Sequence, residues 1–142
     1  LELLNGYTKN RKRKPKENTV VTIVRRYMAP LSSVEDGSAE ERKELWDEWF
    51  ENITMENDKL LSQMILRHYW SGTYNPREET PIIFIREYVS MADADDGGWD
   101  EPIEAFWPDE EQRKERLAQG NKYWLGRHED IGIYRNLVNL QK

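Results

Sequence analysis

Apolar positions along this chain follow two rhythms, and the switches between them mark out its elements. Past Asn18, the run TVVTIVRRYM from Thr19 to Met28 is β-branched and aromatic and is closed by Pro30, which reads as a first strand. Residues 32–37 read as a loop. Ser38 followed by Glu41 is a capping box, after which Leu45, Trp46, Trp49, Phe50 and Ile53 recur at helical spacing opposite a charged face. This predicts an amphipathic helix from about Ala39 to Asn57. Strand composition returns in LLSQMILRHYW, from Leu60 to Trp70, and Gly72, Asn75 and Pro76 mark a turn-rich stretch up to Thr80. Pro81 to Val89, PIIFIREYV, is the third strand. Its apolar residues fall on both pleat faces, Ile82 and Phe84 on one and Ile83 and Ile85 on the other, as in a strand covered on both sides.

Residues 91–98 are acidic and end in Gly97 and Gly98, which suits a short turn or half-helix leading into a linker. Pro108 then fits a helix first turn, followed by Asp109, Glu110 and Glu111 at the positive end of its dipole. That second main helix is expected to reach about Leu125 and stop at Gly126, with Leu117, Asn121 and Trp124 on one face. Asp130 to Leu140, DIGIYRNLVNL, supplies the last strand. The order strand, helix, strand, strand, helix, strand predicts an α+β domain of ferredoxin-like type, an antiparallel sheet with helices on one face. The domain spans 19–142, preceded by a tail at 1–18. The doubly apolar third strand needs a second layer that the chain does not supply, so a homodimer packed through the free sheet face is expected.

Composition narrows the class. With 142 residues the chain fits one domain, and 37% hydrophobic content with 16 aromatics is too rich for disorder. No apolar run approaches the roughly 18 residues of a membrane span, which predicts a soluble protein, cytoplasmic or exported. The chain begins at Leu1, which reads as a trimmed product with any targeting signal upstream. The absence of cysteine excludes disulfides, thiolate metal sites and a cysteine nucleophile. Lys9, Arg11, Lys12, Arg13, Lys14 and Lys16 give the tail a net charge of +4, against −10 for the rest of the chain. A basic block attracts phosphate, but no aromatic is interleaved with it and the acidic body repels nucleic acid, so the tail reads as solvated.

The segments RHYWSG at 67–72, FIREYVSMADAD at 84–95 and WPDEEQRKERLAQGNKYWLGRHEDIGIY at 107–134 resemble uncharacterised bacterial proteins of the dimeric α+β barrel superfamily, over roughly residues 19–142. The resemblance implies two ferredoxin-like subunits pairing their sheets into a barrel, with a pocket between sheet and helices in each. Members of that superfamily include small cofactor-independent monooxygenases, haem-degrading enzymes, isomerases and plain binding modules, so it implies a fold more than an activity. It assigns no catalytic residue.

Residue by residue, His68 is the candidate base or ligand contact, since imidazole titrates near neutrality; a hydrogen-bonded structural histidine is the plainer reading. His128 sits where the second helix gives way to the last strand, a capping position. Two histidines are too few to demand a metal site, even with Glu87 added, and no cofactor is called for. Arg25, Arg26, Arg67 and Arg86 lie within strands, where a charge is costly unless paired, with Glu87 the obvious partner. They could instead clamp a small anion, with Tyr27, Tyr69 and Tyr88 adding hydroxyls. Trp70 shares the His68 face of its strand. Trp46, Trp49, Phe50, Trp107 and Trp124 suit a core or the walls of a pocket. Hydrolase, kinase and dehydrogenase motifs are missing. Three classes remain: a cavity protein that binds, or oxygenates, a small aromatic or acidic molecule, a non-catalytic dimeric scaffold, and a nucleic-acid binder acting through the tail.

Overall fold

The computed structural model describes residues 2–3, 9–10, 18–67 and 79–136, with backbone alone at 2–3, 9–10, 127–129, 131 and 136. It is an α+β structure in which the strands β1 (Glu2–Leu3), β2 (Lys9–Asn10), β3 (Thr19–Met28), β4 (Leu60–Arg67), β5 (Thr80–Tyr88) and β6 (Trp124–Asn136) form one sheet. The order across it is β1, β4, β5, β3, β6, with β2 also on β4, and every pairing is antiparallel. The central strands β3 and β5 are those richest in β-branched residues. They pair without slip from Val20 against Tyr88 to Met28 against Thr80.

Helix α1 (Ala39–Trp49) starts where the capping box puts it, with the Ser38 hydroxyl accepting from the Glu41 amide at 3.0 Å. Its expected continuation to Asn57 instead becomes a π-helical turn, Phe50–Thr54, which keeps Phe50 and Ile53 buried. Residues 91–98 form a six-residue helix, α2 (Met91–Asp96), ended by Gly97 in the left-handed region. Gly98 follows at φ +71, where a Cβ would meet Asn57 Oδ1 at 2.7 Å. Asn57 needs that space, because its side chain clasps the turn by donating to Gly97 O and accepting from Lys59 N.

Three further expectations change. The stretch from Trp99 to Trp107, read as a linker, contains a helix, α3 (Asp100–Phe106); its Pro102 lies in the first turn, where a missing N–H costs nothing. The next helix, α4 (Glu110–Asn121), capped by Asp109 Oδ1 on the Gln112 amide, ends four residues early. Trp124 consequently belongs to β6, which begins there rather than at Asp130. Tyr123 enforces the break: its carbonyl accepts from Ala29 N at 2.8 Å, and its buried hydroxyl meets the backbone of Ser38. Finally, the segment expected as a solvated tail lends β1 and β2 to the outer edge of β4, through pairs such as Leu3 with Leu66 and Lys9 with Gln63. An edge strand offers unpaired amides and carbonyls, so this pairing needs no apolar side chains.

The core gathers Met28, Phe50, Ile65, Ile82 and Phe84, with Trp46, Trp49 and Trp124 packed against it. Alternation along β5 therefore turns Ile82, Phe84 and Arg86 towards α1 and α4, and turns Ile83, Ile85 and Glu87 the other way. Among the described residues, no helix is long and apolar enough to cross a membrane.

Candidate functional site

A cavity of about 150 Å³ lies between the sheet and the helices α1 and α4. The sheet contributes Arg26, Phe84, Arg86 and Trp124. Leu45, Trp46, Glu48 and Trp49 reach it from α1, with Phe50 beyond the helix end, and Arg116, Leu117, Gly120 and Asn121 come from α4. Trp107 and Tyr123, at the two ends of α4, complete the wall. Flat rings dominate: Trp46 stacks on Trp124 with centroids 5.4 Å apart and planes 11° apart, and meets Phe50 edge-on at 5.8 Å.

Against these rings stand, among the described residues, three arginines and one glutamate. Arg86 is fixed on several sides. Its Nε donates to Gln63 Oε1 at 2.8 Å, and its Cζ lies 4.9 Å from the Phe84 ring centroid and 4.8 Å from that of Trp99. Arg26 lies over Trp124, with its Cζ 4.4 Å from the ring centroid. Among the described residues neither guanidinium has a carboxylate partner. Burial lowers the pKa of Arg86 to about 10; the nearby Tyr88 phenol opposes that shift, and Arg26 adds to it. Burial lowers Arg26 as well. Both remain charged at neutral pH, and each would gain from an anion placed between the helices and the sheet.

The residues marked from sequence divide between the two faces of the sheet. Arg86 lines the cavity. Tyr88 is on the same face of β5, fully buried, its phenol pKa raised by burial and drawn back by Arg86. Arg25 and Glu87 are on the opposite face by alternation. The Glu87 carboxylate accepts from Thr19 Oγ1 and from Ser62 Oγ. Glu87 is thus no counterion to Arg26 or Arg86, because the pleat separates them. His68 and Trp70 lie outside the described residues, as does the side chain of His128, whose backbone pairs with Arg26. Among the described residues no group of three or more His, Asp or Glu is arranged to hold a metal ion.

Sequence reasoning passed over Gln63 and Arg116, and treated Trp124 as helical. Gln63 carries a usable signal, since with Arg67 it is one of two polar residues of β4 that have the parity of Ile65, hence on the core face, where an amide needs a polar partner. Comparison with protein families, with curated proteins and with solved structures returns no match.

Proposed function

We propose that this chain is a small-molecule-binding protein whose cavity between sheet and helices takes a compact organic anion. One observation carries the reading: Arg26 and Arg86 stand in an aromatic-walled cavity with no carboxylate partner among the described residues. A half-buried guanidinium without a counterion is costly, and two that repel each other cost more. A carboxylate or phenolate supplies the missing charge with charge-assisted hydrogen bonds, while the indoles bury the apolar body. Among the described lining residues Glu48 alone opposes this sign of charge.

The strand order and all-antiparallel pairing of β4, β5, β3 and β6 support a ferredoxin-like arrangement for the same reading. With it goes a homodimer joined through the face that carries Ile83, Ile85 and the exposed Met64.

The test compares an acid with its neutral amide. Benzoate should raise the melting temperature of the wild-type protein and benzamide should not, and the double variant Arg26→Met, Arg86→Met should ignore both. An equal response to acid and amide, or an unchanged benzoate response in a folded double variant, overturns the anion reading.

A further inference from the structure

The cavity's size and the pose of Arg86 say more about the ligand. The cavity opens to solvent, and its volume of about 150 Å³ matches the space that seats a single benzene ring in a protein interior. A fused second ring or a macrocycle would extend beyond its walls. Aromatic side chains dominate its wall, Trp46, Trp49, Phe84, Trp107 and Trp124 all lining it, and Trp124 is itself sandwiched between the Trp46 ring and the Arg26 guanidinium, so a planar guest would meet these rings by offset or edge-on contact.

Arg86 is already posed for recognition. Gln63 Oε1 occupies its Nε, and its planar guanidinium lies over Phe84 and Trp99, so rotation is restrained on three sides. Both Nη nitrogens are left without an acceptor among the described residues. They form the end-on fork of the guanidinium, whose parallel N–H bonds match the two oxygens of one carboxylate. Gln63 is itself almost wholly buried, and its Nε2 has no partner among the described residues, since the bond to Arg86 dictates which way the amide faces. The amide therefore gives up one of its own hydrogen bonds to hold this pose. Arg26, lying on Trp124 without a side-chain acceptor among the described residues, adds positive potential to the same chamber.

We propose that the ligand is a single planar ring bearing one carboxylate, the carboxylate held end-on by the Nη pair of Arg86 and the ring buried among the indoles. This rests on the anion reading above, and the test separates the two. Dissociation constants are measured by calorimetry for benzoate, cyclohexanecarboxylate, butanoate and 1-naphthoate on the wild-type protein, then for benzoate on Arg86→Lys and Arg26→Lys. Benzoate should bind at least tenfold tighter than each of the other three acids. Arg86→Lys should lose at least tenfold in benzoate affinity, because a point charge cannot replace a fork, and Arg26→Lys should lose less than threefold.

Four acids of similar affinity would overturn the single-ring assignment while leaving the anion reading standing. Tighter binding of 1-naphthoate would overturn the size argument. Equal losses in the two lysine variants, both shown folded by circular dichroism, would overturn the role of Arg86. Indifference to acid against amide in the preceding experiment would remove the anion reading itself, whatever the order of ring sizes.

Discussion

Arg86 is a cost to the fold as well as a candidate contact. Its pKa is lowered to about 10 because burial disfavours the charged form. With the folded value below the unfolded one, the charge opposes folding at every pH below about 10, and the penalty lifts only as the pH rises above that value. Gln63 offsets part of that cost through the bond to Nε, so the two residues are energetically coupled. In a double-mutant cycle read by urea unfolding, Gln63→Leu alone should destabilise by about 1–3 kcal/mol, since it strands a buried charged donor. Adding Arg86→Met should recover that loss and leave the double variant at least as stable as wild type, with a coupling of about 0.5–3 kcal/mol. Strictly additive effects would mean that the amide and the guanidinium do not act as a unit. A fold made easier by removing a strand arginine is one that keeps it for another purpose.

Among the elements, α4 is the one whose sequence contradicts its task. It walls the cavity through Arg116, Leu117, Gly120 and Asn121, yet none of its residues is buried. Its ends hold it: Asp109 caps one, with Arg113 donating to Trp107 O at 2.8 Å, and the Lys122–Glu41 ion pair at 2.8 Å and Tyr123 secure the other. That ion pair draws the Glu41 pKa down and the Lys122 pKa up, the hydrogen bond between them being the main cause in each. Gly120 weakens the helix from within. A Cβ there would meet nothing within 4 Å, so Gly120→Ala should stabilise the protein by about 0.5–1 kcal/mol, seen as a higher urea midpoint at unchanged slope. A lower midpoint would show that the glycine serves the cavity wall and not the chain direction.

What could be read from the chain at this scale follows from how local the signals are. The start of α1 is written in Ser38 and Glu41, three residues apart, and the doubly apolar character of β5 in four consecutive positions, Ile82 to Ile85. The end of α4 is not local. Trp124 continues the helical spacing of Leu117 and Asn121, and only the bond from Ala29 N to Tyr123 O, across 94 positions of sequence, turns it into strand. The site obeys the same division. That Arg26 and Arg86 interrupt strands is visible in the sequence, but which of the four strand arginines meet depends on register, which sets Arg26 opposite Ile82 and sends Arg25 to the far face.

For the whole molecule, the far face of the sheet is where the proposed dimer is put to the test. Val21, Ile23, Ile83, Ile85 and Leu66 are half-buried there, Met64 is 42% exposed beside them, and Tyr134 lies over Gly132 at the β6 side with 51% exposure. Each of these aliphatic side chains forgoes part of the roughly 1.5–3 kcal/mol that full burial would return. A second copy offers the same surface, and stacking two such sheets about a two-fold axis covers both at once. On this reading sedimentation velocity at micromolar concentration gives a dimer, with about 2,000 Å² or more buried as in obligate pairs. Met64→Glu tests the face itself: it places a charge on an already exposed position, so the monomer should keep its secondary structure and its benzoate response while the dimer dissociates. A wild-type monomer, or a Met64→Glu dimer as stable as wild type, would mean that this face is covered some other way and that the cavity works within a single chain.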